Sequence, residues 1–150
     1  MDRIIKVHNL NYHYPDGTVG LKDVNFEVVA GETMVVIGAN GTGKSTLFMN
    51  LMGVLDGTGH VEVNGVVLNR SNMKEIRRGM GMVFQNPDDQ LFCPTVMDDV
   101  SFGPANLGWS SEEVITASQK ALLLVGLEGY GARTSYHLSF GEKKRAAIAT

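Results

Sequence analysis

The sequence has little cysteine, little proline and no long hydrophobic run. Its one cysteine, Cys93, has no second cysteine in the chain with which to form a disulfide, and this suits a reducing cytoplasm. The longest apolar runs, 34–39 and 121–126, are far shorter than the roughly 20 residues that cross a bilayer. The N-terminal residues lack the apolar core of a secretory signal. These absences predict a soluble, cytoplasmic globular domain.

A basic excess is also absent. Thirteen Lys and Arg against 16 Asp and Glu give a net charge of -3, which argues against a dedicated nucleic-acid binder. We therefore expect no nucleic-acid partner. What the chain has in excess is glycine, with 18 of 150 residues against only 4 prolines. Glycine without proline predicts specific tight turns rather than a flexible linker.

Four segments before Gln85 predict strands. Alternating apolar residues at 4–14 and 21–29 are typical of an antiparallel sheet with one polar face. The all-apolar run Thr33–Ile37 predicts a strand buried on both faces, as in a parallel sheet. Gly81–Phe84 predicts another short apolar strand.

A helix and a hairpin are predicted between these strands. The segment 44–52 has a helical period, with Leu47, Leu51 and Val54 on one face. Asn64-Gly65 between two short apolar runs is a strong hairpin signal.

Helical patterns dominate after Asn86-Pro87, where we expect a subdomain boundary. Patterns typical of capping boxes begin at Thr95, Ser110 and Ser139, each followed three residues later by an acidic residue. The helix after Ser110 is predicted to bury one face, formed by Val114, Ala117, Ala121, Leu124 and Val125.

The segment Gly38–Ser45 fits the phosphate-loop pattern G-x-x-x-x-G-K-[ST]. Glycines let backbone N–H groups cradle phosphate oxygens, and the helix that follows adds its positive dipole end. Lys44 supplies a charge for the β- and γ-phosphates, and the Ser45 hydroxyl is a ligand for Mg²⁺. The residue frequencies of this chain give only roughly 0.01 chance matches. The pattern therefore predicts nucleotide binding.

Further motifs resemble those of the ABC transporter ATPases. Leu138-Ser-Phe-Gly-Glu142 resembles their LSGGQ signature, Gln85 matches their Q-loop glutamine, and Tyr14 stands where the family has an aromatic that stacks on adenine. Residues 83–108 are similar to the Q-loop segment of the energy-coupling-factor importers, which take up cobalt, nickel or vitamins. Within that group the LSFGEKKR variant at 138–145 favours a cobalt-type import ATPase.

The resemblance implies an α/β fold of the P-loop NTPase class. Residues 1–86 would form an antiparallel β subdomain with the phosphate-loop core, and 87–150 a helical subdomain that carries the signature. ATP and Mg²⁺ are the implied cofactors, with Lys44 and Gln85 as catalytic residues and Ser45 and Gln85 as metal ligands. The implied nucleotide-binding residues are Tyr14, Gly38, Asn40, Gly41, Thr42, Gly43, Lys44, Ser45, Thr46, Ser139 and Gly141.

The resemblance also implies partners. Two ATPase domains, identical or paralogous, would dimerise head to tail, so that Ser139 and Gly141 of one contact the γ-phosphate bound by the other. A transmembrane coupling subunit would dock near the Q-loop, beside a membrane subunit that binds the transported substrate. The expected location is peripheral, on the cytoplasmic face of the cell membrane.

Two departures from the family pattern bear on activity. Phe140 replaces the second glycine of the signature. The family's apolar strand ending in Asp-Glu, which supplies the general base, and its switch histidine do not follow before Thr150. We therefore expect the C-terminal part of the core to be missing and this chain to hydrolyse ATP poorly.

Other functions remain open at this point. One is a nucleotide-binding module without hydrolysis, and another is the ATPase of a different type of importer. An ABC-like ATPase of DNA repair or chromosome architecture is disfavoured by the Q-loop sequence and by the acidic pI of about 5.8.

The remaining polar residues are interpreted as structural. Asp98-Asp99 and Glu112-Glu113 do not follow an apolar strand, so we read them as helix caps and solvated faces. The four histidines, His8, His13, His60 and His137, have no metal-ligand spacing and are interpreted as structural. The basic residues near the helices are interpreted as solvated; they are Arg70, Lys74, Arg77, Arg78, Lys143, Lys144 and Arg145.

Overall fold

A computed structural model describes residues 2–150 and divides the chain into two compact units, Met1–Gly81 and Met82–Thr150. The first unit contains all of the strands that are described, and the second is helical. The mixed α/β class expected from the sequence is confirmed.

The first unit is built on a four-stranded antiparallel sheet in the order β2-β1-β3-β4. Val7 lies at its centre, paired with Phe26 on one side and Val61 on the other. The predicted hairpin is confirmed, because Asn64 and Gly65 connect β3 to β4 with φ values of 49° and 80°. The strands are β1 (Arg3–His13), β2 (Val19–Val29), β3 (Thr58–Val63) and β4 (Val66–Val67).

Two helices complete this unit. They are α1 (Lys44–Leu51) and the short α2 (Met73–Arg78). Leu47 and Leu51 of α1 and Ile76 of α2 are buried in one core with the apolar face of the sheet. This face consists mainly of β-branched and leucine side chains, as the alternation in the sequence predicts.

The prediction that Val54 extends the buried face of α1 is wrong. The helix ends at Leu51, and Gly53 takes a left-handed conformation with φ 63°. The N–H group of Val54 donates to the carbonyl of Met49, 2.9 Å away, which closes the helix end. Val54 therefore lies beyond the helix and is 58% exposed.

The strands predicted at Thr33–Ile37 and Gly81–Phe84 are also wrong, because the structure gives neither segment strand conformation. A strand exists only where a neighbour pairs with its N–H and C=O groups, and among residues 2–150 these two segments are not part of a sheet. Val35 and Ile37, expected to be buried, are 73% and 89% exposed.

The second unit consists of three helices around one core. Its buried apolar residues include Val96, Val100, Leu122 and Leu127. Two 3-10 helices, Pro87–Asp89 and Ser135–His137, lie in the connections. The helices are α3 (Val96–Asn106), α4 (Ser111–Leu124) and α5 (Phe140–Ala149).

The predicted helix starts in this unit are confirmed. Ser110 and Ser139 form complete capping boxes with Glu113 and Glu142. The hydroxyl of Thr95 accepts from the backbone N–H of Asp98, 3.2 Å away.

The predicted face of α4 is only partly correct. Val114 is buried as expected, but Leu124 is 77% exposed, and Ser118 and Leu122 are buried in its place. The buried stripe follows the four-residue spacing Val114, Ser118, Leu122, which places Leu124 on the opposite side. None of the described helices, within residues 2–150, is long and apolar enough to cross a membrane.

Candidate functional site

The predicted phosphate loop precedes α1 and has the backbone conformation that only glycine tolerates well. Gly41 and Gly43 have φ values of 80° and 88°. Gly43 is the residue immediately before α1, and a Cβ atom on it would lie 2.4 Å from the carbonyl oxygen of Gly20. The close approach of β2 to this turn therefore excludes any side chain at Gly43.

The side chain of Lys44 folds back over the same loop. Its ammonium group donates to the carbonyl oxygens of Gly38, at 2.9 Å, and Ala39, at 2.6 Å. The hydroxyl of Thr42 donates to the same Ala39 carbonyl over 2.9 Å, which gives the loop a second internal hydrogen bond there. The ammonium group of Lys44 is thus held at the carbonyl oxygens of the loop itself, and the space beside Gly41 is open.

The start of α1 is favourable to an anion. Gly43 provides no side-chain cap, and the first turn of the helix contains no acidic residue. The N–H groups of this turn and the helix dipole are therefore available to a phosphate group. The hydroxyl-bearing side chains of the first turn are the exposed Ser45 and the buried Thr46.

The donor set suits Mg²⁺ only in company with a nucleotide. The Ser45 hydroxyl is a hard oxygen ligand of the kind that Mg²⁺ takes. Residues 2–150 contain no group of three or more His, Cys, Asp or Glu that could hold a metal ion by themselves. The phosphates of a nucleotide and water would have to supply the remaining oxygen ligands.

Tyr14 lies beside the first turn of α1. Its hydroxyl and that of Thr46 are 2.6 Å apart and share a hydrogen bond. Its ring packs edge-on against Tyr12 with centroids 5.0 Å apart, and 38% of Tyr14 is exposed. Gly20 permits this packing, because a Cβ there would lie 2.9 Å from the Tyr14 ring. An aromatic surface thus borders the phosphate loop, and its stacking on adenine remains a prediction.

The signature residues stand at the start of α5. The backbone N–H of Ser139 and its hydroxyl both donate to one carboxylate oxygen of Glu142, over 2.8 and 2.7 Å. Gly141 has open space where a Cβ would be. Phe140 is 63% exposed, and its ring lies 5.8 Å from the ammonium nitrogen of Lys144. Phe140, which stands where the family has the second glycine of the signature, therefore places an aromatic ring at the surface.

Glu142 is the most perturbed carboxyl group of this region. The hydroxyl of Tyr130 donates to its second carboxylate oxygen over 2.9 Å. Hydrogen bonds from the Ser139 hydroxyl, the Ser139 backbone and Tyr130 lower the pKa of Glu142 from its usual 4.5 to about 2. The start of the signature helix therefore carries its own anion at neutral pH.

Gln85 lies in the same unit as the signature. Its side chain is exposed, and its backbone carbonyl accepts a hydrogen bond from the Lys144 ammonium group. The phosphate loop and Tyr14 lie in the first unit, and Gln85, Ser139 and Gly141 in the second. Within each unit the structure brings the predicted residues into one region of the fold.

Sequence reasoning missed Tyr130 and Gln90, whose side chains bond to the signature helix. Gln90 joins the backbone of Phe84 to that of Ala147. The sequence carries no signal for these roles, because the partners in the signature helix and at its end are 12 to 60 residues away along the chain.

The interpretation of the acidic pair in α3 as a helix cap and a solvated face is confirmed for Asp98, but it is wrong for Asp99, which is 3% exposed. Buried Asp99 accepts hydrogen bonds from the backbone N–H groups of Phe92 and Cys93, both over 2.9 Å. Asp98 accepts from the hydroxyl of Thr95 over 2.6 Å. Local hydrogen bonds thus hold one oxygen of each carboxylate, while the second oxygen of Asp99 is buried without a hydrogen-bond partner among the described residues.

Comparison with known proteins identifies the family. The model of the family described as ABC transporter matches residues 21–150. The chain is 49% identical over 152 residues to an energy-coupling factor transporter ATP-binding protein from Methanosphaera stadtmanae, covering 99% of this chain and 55% of the relative. A protein of the same name from Methanocaldococcus jannaschii is 48% identical over 149 residues, covering 97% and 53%.

Solved structures agree with these relatives. The structure of cbiO1 from Clostridium perfringens, part of the ABC transporter complex cbiONQ, superposes with a TM-score of 0.84 at 41% identity, over 99% of this chain and 61% of that one. A dimeric ATP-binding cassette bound to ADP and Pi superposes with a TM-score of 0.82 at 26% identity, over 97% and 67%. The chain spans about half the length of the curated relatives it matches. It belongs to the ABC transporter ATP-binding family, and its near relatives are ATP-binding proteins of energy-coupling factor transporters.

Proposed function

We propose that this chain is the nucleotide-binding part of an ATPase that energises import across the cytoplasmic membrane. The observation that carries the proposal is the phosphate loop, where two left-handed glycines, an uncapped helix start and the Lys44 ammonium group converge. The names of the relatives supply the transport context.

The chain's own residues divide the work of binding. The backbone of Gly38–Gly43 and the start of α1 would hold the phosphates, while Lys44 would leave its loop carbonyls to neutralise their β- and γ-oxygens. Ser45 and Gln85 would hold Mg²⁺, which would supply positive charge to neutralise the phosphates. Tyr14 would place its exposed ring against the base.

Partner binding is the second element of the proposal. Ser139 and Gly141 lie at the start of α5, where the capping box uses the N–H groups of Ser139 and Glu142 and leaves those of Phe140 and Gly141 available to an anion, despite the charge of Glu142 beside them. In a head-to-tail pair of ATPase subunits, identical or paralogous, this helix start would meet the γ-phosphate held by the other subunit. The subunits would lie on the cytoplasmic face of the membrane, bound to a transmembrane coupling subunit and a substrate-binding membrane subunit.

Cobalt or a related metal ion or a vitamin is the proposed cargo. The support is the similarity to cbiO1 and to the energy-coupling factor proteins together with the LSFGEKKR variant at 138–145. Uptake of radioactive cobalt by cells carrying the complete transporter, compared with cells carrying Lys44→Ala, tests this cargo. Uptake that does not depend on Lys44 would contradict it.

Titration of ATP into the purified chain by calorimetry tests nucleotide binding directly. We expect binding that Lys44→Ala weakens by about tenfold or more, because one charge-assisted contact to phosphate is lost. Lys22→Ala, at an exposed position on β2, is the matched control and should leave the Kd unchanged. Equal affinity for all three proteins would mean that the loop does not bind phosphate.

A nucleotide-binding module without hydrolysis is the second candidate. The observation that favours it is that two acidic side chains at the signature helix, Glu142 and Asp88, are held by local hydrogen bonds and an ion pair, which leaves neither placed to act as a general base. Steady-state release of phosphate separates the two functions, because a binding module gives ATP affinity without turnover at any length of the protein.

A further inference from the structure

The segment that carries Gln85 is tied to the signature helix by three neighbouring side chains. Gln90 bonds from this segment to the end of α5, while Lys143 and Lys144 bond from α5 back to the segment. We propose that Gln90 is a positioning residue, which makes residues 84–90 and α5 one mechanical body so that Gln85 and the signature move together. The catalytic part of this inference rests on the function proposed above.

The carboxamide of Gln90 uses both its acceptor and its donor groups. Its oxygen accepts from the backbone N–H of Phe84 over 3.0 Å. Its nitrogen donates to the carbonyl oxygen of Ala147 over 2.8 Å and to the hydroxyl of Thr150 over 2.6 Å. One side chain thus joins the residue before Gln85 to the last turn of α5.

Lysine side chains tie down the rest of the segment. The ammonium group of Lys144 donates to the backbone carbonyls of Phe84 and Gln85. Lys143 pairs with Asp88 at 2.6 Å, and its side chain is only 15% exposed. A pair that is largely withdrawn from water on one side is screened less than a surface ion pair, so it resists separation of the segment from α5.

Apolar contacts flank these bonds. Pro87 is fully buried, and Leu91 is buried in the core that includes Ala146 of α5. Gln90 lies between these two buried residues in the sequence, and it is itself partly buried. Its hydrogen bonds are therefore sheltered, and their loss leaves polar backbone groups without partners.

The chemistry of the site requires glutamine. Glutamate has the same shape, but it would present an oxygen to the carbonyl oxygen of Ala147 in place of the N–H donor. Methionine has the same length and forms none of the three bonds. Gln90→Glu therefore removes the donor alone, and Gln90→Met removes all three hydrogen bonds. Gln119→Glu, on the exposed face of α4, is the matched control.

Amide hydrogen exchange, followed by mass spectrometry and NMR, measures the protection that the hydrogen bonds of Gln90 provide. In Gln90→Met we expect the Phe84 amide to exchange about tenfold faster, because it loses its acceptor. In Gln90→Glu the Phe84 amide keeps a carboxylate acceptor and should stay protected, while the amides in the last turn of α5 should exchange faster in both variants, because the bond to the Ala147 carbonyl no longer holds that turn. Gln119→Glu should exchange as the unsubstituted chain does. Unchanged exchange at Phe84 in Gln90→Met, or in the last turn of α5 in both Gln90 variants, would overturn the proposal.

ATP turnover of the full-length protein tests the positioning role. We expect kcat to fall by about tenfold, because a small displacement of Gln85 disturbs the reacting geometry. The KM for ATP should stay constant, since the phosphate loop lies in the other unit. Faster exchange with an unchanged kcat would overturn positioning and leave a bond that only stabilises the fold. If the unsubstituted full-length protein neither bound nor hydrolysed ATP, the proposed function would fail, and positioning of Gln85 for turnover with it, whatever the exchange data show.

Discussion

The hydroxyl of Tyr130 donates a 2.9 Å hydrogen bond to the carboxylate of Glu142, 12 residues further along the chain. The guanidinium group of Arg133 lies 3.8 Å from the centroid of the same tyrosine ring. The other carboxylate oxygen of Glu142 caps α5 through Ser139. Glu142 thus links the connection that precedes α5, through Tyr130, to the N-terminal cap of α5, through Ser139.

This arrangement makes the stability of the second unit depend on pH. The pKa of Glu142 is lowered from 4.5 to about 2, so the ionised carboxylate is favoured in the folded chain. Its contribution to stability is fully present above about pH 4.5 and is lost as the pH falls toward about 2. We expect the urea midpoint of unfolding to fall further over this pH range in the unsubstituted chain than in Glu142→Gln.

Two variants control for this prediction. Glu112→Gln, on the first turn of α4, removes an exposed carboxylate and should retain the full pH dependence. Tyr130→Phe removes one of the three donors and should raise the pKa of Glu142, as followed by NMR of its side-chain carboxyl carbon. Identical pH profiles for Glu142→Gln and the unsubstituted chain would contradict the role of this carboxylate.

The core face of α4 provides a paired prediction. Leu122 is 3% exposed within the core of the second unit, whereas Leu124 is 77% exposed. Leu122→Ala should lower the free energy of unfolding by about 2–5 kcal/mol, because it removes buried methyl groups and leaves a cavity. Leu124→Ala should change it by less than about 0.5 kcal/mol. Chemical denaturation of both variants measures the difference, and equal effects would mean that α4 is rotated.

The features that the sequence predicts well are those decided by neighbouring residues. The capping boxes at Ser110 and Ser139 and the turn at Asn64-Gly65 need only residues within four positions. The glycine pattern of the phosphate loop is equally local. Each of these could be located from side-chain chemistry and backbone preference alone.

The features that it predicts poorly depend on distant partners. Thr33–Ile37 has the composition of a buried strand, but no sheet among residues 2–150 includes it. Leu122 and Leu124 are equally apolar, and only the angle at which α4 meets the core distinguishes them. The bonds of Gln90 join residues up to 60 positions apart, which no local pattern encodes.

The phosphate loop predicts different costs for two glycine substitutions. Gly41 and Gly43 both have positive φ, but a Cβ on Gly41 has open space, and one on Gly43 would lie 2.4 Å from the Gly20 carbonyl oxygen. Gly41→Ala should cost roughly 1–2 kcal/mol from backbone strain alone. Gly43→Ala should cost more and should abolish ATP binding, because β2 and the loop must separate.

Denaturant unfolding and ATP titration of the same two variants check this difference. We expect Gly41→Ala to retain measurable ATP binding, because only its backbone strain is added. Gly43→Ala with undiminished stability and affinity would show that the contact with Gly20 can relax, and would remove the steric argument for glycine at this position.

The apolar segment before the phosphate loop predicts self-association. Val35 and Ile37 are 73% and 89% exposed, and Met34 is 40% exposed, so three neighbouring apolar side chains face water. Contiguous exposed apolar surface favours contact with another molecule, because that removes it from water.

We expect light scattering of this chain to show a mass that rises with concentration. Val35→Lys with Ile37→Lys should shift this rise to higher concentration, because the exposed apolar surface then carries two like charges. Val54→Lys, at an isolated residue that is 58% exposed, is the matched control and should leave the association unchanged. A monomeric mass at every concentration would mean that this surface is too small to drive contact.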